Sequence, residues 1–179
     1  MRAEILRSPP ISGTVPEVRF EAVGDCTWVR FEDGAGEEWA GIFGRGPTTT
    51  DRVALVNGGP LAFVVAGGRG ALVDIERRTL RYWAPAEHLT DVINVPGRDF
   101  VVACDWWQMW AFGSEAPEPL WVQAVAGDGI KLDRASSTDL RACVWEYDGW
   151  YAFRLEFDGW RTTVGELLSP NWDPAPAAP

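Results

Sequence analysis

The sharpest alternation of apolar and polar positions lies in DLRACVWEYDGWYAFRLEFDGWRTTV, residues 139–164. Two Asp-Gly dipeptides, Asp148-Gly149 and Asp158-Gly159, separate its apolar runs. Both central residues of a type I′ turn need positive φ, so an Asp-Gly pair between alternating segments predicts a β-hairpin. Centring the first turn on Asp148-Gly149 pairs Tyr147 with Trp150, Val144 with Phe153, Ala142 with Leu155 and Leu140 with Phe157. One face of the resulting meander is wholly apolar. On the other, Arg141 meets Glu156, and the second turn sets Glu156 opposite Arg161, so a carboxylate stands between two guanidiniums across three strands.

Comparable units lie upstream: GDCTWVRFEDGAGEEWAGIFG from Gly24, GPLAFVVAGGRGALVDIERRTLRYW from Gly59 and RDFVVACDWWQMWAFG from Arg98. Each opens on a turn residue, runs through an apolar stretch, turns and returns. Their starts, Asp25, Pro60, Asp99 and Asp139, recur at about 35 to 40 residues. The rhythm resembles that of β-propeller blades, although the Gly-His and Trp-Asp signatures of WD repeats and the kelch double glycine are absent. The resemblance implies an all-β fold of about four antiparallel meander units, propeller-like or a curled sheet. A β-sandwich or open barrel of successive meanders gives the same rhythm.

Helical signals are few. EHLTDVI, residues 87–93, is compatible with one short helix after Pro85. RAEILR near the start suits an edge strand, and RSPPISGTVPEV carries three prolines that limit pairing. The predicted organisation is an extended segment or edge strand over 1–16, one all-β domain over 17–168 and a Pro/Ala-rich tail over 169–179.

Composition narrows the classes of function. The formal net charge of −10 argues against nucleic acid, whose phosphates need a basic face, and favours a basic protein partner. No stretch reaches the length of a membrane span, and the first residues lack the apolar core of a secretory signal. Cys26, Cys104 and Cys143 are odd in number, widely spaced and set in apolar runs, which predicts buried free thiols in a reducing, cytoplasmic setting. Eleven Trp is a high count for 179 residues; most are expected to fill gaps between sheets.

Candidate chemistry is sparse. One histidine, His88, excludes His-rich metal sites and leaves a single place for a Ser-His or Cys-His pair. AGGRG at 66–70 lacks the phosphate-loop Lys and reads as a hairpin turn with Arg69 at its tip. Gly127-Asp128-Gly129 lacks the remainder of a calcium loop and reads as a tight turn. The acidic FEDGAGEEW reads as a solvated hairpin tip. In DWWQMWAF, alternation puts Trp107, Met109 and Ala111 on one side and Trp106, Gln108, Trp110 and Phe112 on the other. The run is therefore either a central strand covered on both faces or a strand with one exposed aromatic face.

These features predict a non-enzymatic protein-binding module without metal or cofactor, akin in composition to acidic immunity or inhibitor proteins. Asp105, Trp106, Trp110 and Trp150 are the candidate contact residues. The alternatives are carbohydrate binding, with or without hydrolysis, through Trp faces and carboxylates, and a structural role in an assembly.

Overall fold

A computed structural model describes residues 1–168 apart from residues 12, 126 and 127. The described residues form β-strands, turns and loops with no helix, arranged as four sheets of four strands. The first sheet contains β1 (Arg2–Leu6), β2 (Glu17–Phe20), β3 (Cys26–Glu32) and β4 (Glu38–Gly44), ordered β1-β3-β4-β2. The second runs in chain order through β5 (Asp51–Val56), β6 (Leu61–Ala66), β7 (Arg69–Asp74) and β8 (Thr79–Trp83). So do the third, β9 (Asp91–Asn94), β10 (Phe100–Cys104), β11 (Gln108–Gly113) and β12 (Trp121–Ala124), and the fourth, β13 (Ile130–Ala135), β14 (Asp139–Glu146), β15 (Gly149–Glu156) and β16 (Arg161–Leu167). The end of EHLTDVI, from Asp91, thus belongs to β9 and not to a helix. Its Val92 is needed in the apolar layer against the second sheet, and that tertiary demand overrides local propensity.

The four sheets are blades about a common axis. β1 packs beside β5, β5 beside β9 and β9 beside β13, and all four line a central space of about 760 Å³. Consecutive blades meet through apolar seams. Phe31 stacks on Trp39 (centroids 4.5 Å apart) in the first seam, Phe63 on Phe112 (5.3 Å) in the second and Trp121 on Trp160 (5.5 Å) in the third. Polar groups tie each seam as well. The Trp39 indole N–H donates to the Ile75 carbonyl at 3.0 Å, the Tyr82 hydroxyl to the Gly113 carbonyl at 2.5 Å and the Arg98 guanidinium to Asp158 at 3.0 Å. Burial pushes the Tyr82 hydroxyl up to about 12, so it remains a donor throughout the physiological range. Among the described residues no apolar cluster, ion pair or side-chain hydrogen bond joins the fourth blade to the first. Among the described residues the array is an open arc.

Central strands read as continuous apolar runs because both faces are covered. In β10, Val101 and Ala103 face the second blade while Phe100, Val102 and Cys104 face the fourth. β11 behaves likewise: Met109 and Ala111 turn one way, Trp110 and Phe112 the other.

The fourth blade corrects the hairpin register. Trp145 pairs with Trp150, Val144 with Tyr151, Ala142 with Phe153 and Leu140 with Leu155, two residues from the expected pairing. Tyr147-Asp148 forms the turn, with Tyr147 at φ +33°, and Gly149 lies inside β15. A Cβ at Gly149 would stand 2.6 Å from the Leu167 side chain, so that glycine serves packing against β16 and not the turn. A shift of two leaves every side chain on its original face. Leu140, Ala142, Val144, Phe153, Leu155 and Phe157 accordingly remain one buried apolar set. Arg141 faces Arg154 instead of Glu156, while the Glu156–Arg161 ion pair forms at 3.1 Å.

Candidate functional site

Loops at one end of the arc bring together the turns that follow β6, β10 and β14. Each is bonded to a link between blades: Gly46 N–H to the Ala66 carbonyl, Leu89 N–H to Gly68, Val125 N–H to Trp107 and Asp128 N–H to Trp145. At this end Arg69, at the first position of β7, lies over the Trp83 ring at 3.7 Å and pairs with Glu21 of the first blade at 2.9 Å.

The four sequence-predicted contact residues separate in space. Asp105 is 8% exposed, and its Oδ1 accepts the backbone N–H groups of Trp107 and Gln108, both at 2.7 Å. Its carboxylate therefore holds the tight turn between β10 and β11. Trp106 is 52% exposed and Trp107 53%. Alternation placed these two on opposite sides, but both belong to the turn and not to a strand, so both indoles reach solvent. Trp110, by contrast, is 8% exposed within the apolar layer between the second and third blades; it is core. Trp150 is half-buried on the fourth blade, edge-on to Trp145 with the Lys131 ammonium 4.7 Å from its ring centre.

Sequence reasoning missed two participants. The sequence reading puts Trp107 on the strand side of Met109 and Ala111 and outside the contact set, and reads Asp128 as part of a tight turn. Trp106, Trp107 and Asp128 line one cleft of about 280 Å³. The Gly-Asp-Gly reading itself extends beyond the described residues at position 127, and the Trp172 segment lies outside them altogether. An exposed indole pair beside a carboxylate suits a cationic side chain, which gains from the ring quadrupole and from the negative charge together.

The remaining candidates are structural. Asp33 caps its own acidic turn by accepting the N–H groups of Ala35 and Glu37, each at 2.9 Å. His88 adopts φ +65° in the link between the second and third blades. Cys104 and Cys143 are buried and Cys26 half-buried, all free. Burial, with Asp133 nearby, pushes the Cys143 thiol up to about 12, so it stays protonated. No grouping of three or more metal-ligating side chains occurs among the described residues, and no described helix is long and apolar enough to cross a membrane.

Sixteen strands in four radially packed blades define a β-propeller-like protein. The WD40 domain of Neurospora crassa Pan2 is similar, with a TM-score of 0.53 and 9% identity over 77% of this chain and 47% of that one. So is hydrazine synthase from Kuenenia stuttgartiensis, with a TM-score of 0.54 and 11% identity over 89% of this chain and 52% of that one. The chain thus spans about half the length of these structural relatives. At such identities the likeness is one of fold. No protein-family model matches the sequence, and no curated protein matches it.

Proposed function

We propose that this chain is a non-enzymatic protein-interaction module that receives a basic segment of another protein at the Trp106–Trp107–Asp128 cleft. The observation that carries the reading is the indole pair. Two adjacent, half-exposed Trp side chains stand on a turn whose shape is held by the buried Asp105 carboxylate, so the anchors are ordered before a partner arrives. The net charge of −10 supports a basic partner, because a negative field raises the encounter rate with a cationic surface. Similarity to a WD40 domain supports an interaction role at the level of fold. An acidic immunity- or inhibitor-like role is the finer form of this reading. Three free thiols support a cytoplasmic setting as part of this reading.

A titration followed by Trp fluorescence tests the proposal, using an Arg-rich peptide, a neutral peptide of the same length and a panel of oligosaccharides. The Arg-rich peptide is expected to give saturable quenching that fades with salt, with no saturable response to the other two. Trp106→Ala should weaken peptide binding by about 2 kcal/mol while leaving the melting temperature near that of the parent. Saturation by a sugar would move the assignment to carbohydrate binding.

A further inference from the structure

At the end of the arc away from the Trp106–Trp107 turn, turns of three blades are bonded to one another. The Asn57 Oδ1, in the turn after β5, accepts the Gly97 N–H, in the turn after β9, at 3.1 Å. Arg98 then reaches the fourth blade, donating to the Ser137 carbonyl at 2.8 Å and to Asp158 at 3.0 Å. Asn57 and Gly58 are the central pair of a turn closed by the Gly59 N–H on the Val56 carbonyl at 2.9 Å. Their φ angles of +48° and +62° are of the left-handed kind that an Asn-Gly turn favours. Both residues are exposed, and a Cβ at Gly58 would meet nothing within 4 Å.

We propose that Asn57 is a self-modification site, where the Gly58 peptide nitrogen attacks the Asn57 side-chain amide and water completes its conversion to aspartate or isoaspartate. A bond forms between the Gly58 nitrogen and Asn57 Cγ, the Cγ–Nδ2 bond breaks, and the proton of the Gly58 N–H leaves with Nδ2 as ammonia. Water then opens the cyclic imide, adding hydroxyl to carbon and hydrogen to nitrogen. Opening at Cγ restores the ordinary backbone as aspartate; opening at the Asn57 main-chain carbonyl carbon routes the backbone through the side chain as isoaspartate.

The turn supplies what this chemistry needs. Nucleophile and electrophile belong to adjacent residues, so the attack is intramolecular. The Gly58 N–H donates to no acceptor among the described residues, and without a Cβ at 58 nothing shields the nitrogen. The Gly97 N–H, already on Oδ1, stabilises the negative charge that this oxygen gathers as nitrogen adds. Asn94, by contrast, precedes Val95, whose buried β-branched side chain crowds the corresponding nitrogen. The products differ in what they leave behind. Aspartate keeps an oxygen for the Gly97 N–H. Isoaspartate carries its carboxylate directly on Cα, too short for that reach, and lengthens the turn by a methylene, so the tie between the second and third blades is released at this end.

Peptide mapping by mass spectrometry tests this on the folded full chain, held for weeks at physiological temperature at neutral and at mildly alkaline pH. Conversion is expected at residue 57 and not at Asn94, faster at the higher pH because the attacking nitrogen must give up its proton, with a species more acidic than the parent on anion exchange. Gly58→Ala should slow the conversion roughly tenfold or more. Asn57→Gln, whose longer side chain closes the ring poorly, should suppress it too, and supplies that readout should alanine at φ +62° disturb folding. The isoaspartate fraction should unfold at a lower denaturant concentration than Asn57→Asp; equal midpoints would overturn the release of the seam. Conversion at 57 only in the urea-unfolded chain would overturn the proposal, as would a rate at 57 no greater than at Asn94.

Discussion

The first and fourth blades occupy equivalent places at the two ends of the arc, yet they solve the same packing problem differently. β4 of the first blade is buried at every position after Glu38. Ile42 is 1% exposed although it lies outside the apolar cluster shared with the second blade. Ala40 is buried in the same way. Both alternate with Trp39 and Phe43, which face that cluster, so they point away from it, toward the outward side of the sheet. On the fourth blade, β15 alternates buried with accessible positions, and β16 is mostly exposed. The outward side of a terminal sheet is thus buried at Ala40 and Ile42 in one case and meets water in the other. The local sequence records which: after Glu38, WAGIFG is an unbroken apolar run, whereas YAFRLEF alternates.

The largest effect that would break this comparison is at Trp39. Its indole is fully buried and hydrogen-bonded across the first seam, so Trp39→Ala should cost about 3–5 kcal/mol by chemical denaturation. Trp106→Ala, on an exposed turn, should change stability by less than about 0.5 kcal/mol in the same assay. Next comes Ile42→Ala. Ile42 is buried on the outward side of the first blade, so this substitution should cost about 2–4 kcal/mol although Ile42 lies outside the apolar cluster shared with the second blade. A value near zero would show that face to be open.

A smaller loss is expected at Asp51, whose carboxylate accepts the Thr27 hydroxyl at 2.6 Å and the Gly67 N–H at 2.8 Å while lying 3.3 Å from Arg45. Asp51→Ala should destabilise by about 1–3 kcal/mol, since two donors in the first seam lose their acceptor. The smallest effect lies on the fourth blade and is lost in acid. A hydrogen bond from Ser136, then one from Arg154, holds the Asp139 carboxyl below its ordinary range. The sign follows from linkage: a depressed folded-state value adds stability above the ordinary Asp range near about 3.9 and loses it as pH falls through the folded value. Asp139→Asn should therefore flatten the acid limb of the stability–pH curve and leave the difference between pH 7 and pH 8 unchanged.

Much of this fold was legible in the chain because blade strands alternate or run apolar over short stretches between turn residues, and those are local signals. The central hairpins of all four units and the face assignment of the C-terminal meander follow from them, while the β10–β11 run is left between two-sided burial and one exposed aromatic face. What alternation cannot specify is register along a strand, since sliding by two residues preserves every face. The packing of Leu167 on Gly149, a contact between strands, selected the pairing that a turn rule had placed differently. The inner strand β9 was likewise decided by the neighbouring blade, because four residues carry too short a pattern to distinguish strand from helix. Of the candidate contact residues, the chain alone marked the aromatic cluster near Asp105. Only tertiary structure could separate Trp106, lifted on a turn, from Trp110, four positions later and enclosed between two blades. Exposure is set by what packs against a residue from elsewhere in the chain, and no local pattern carries that information.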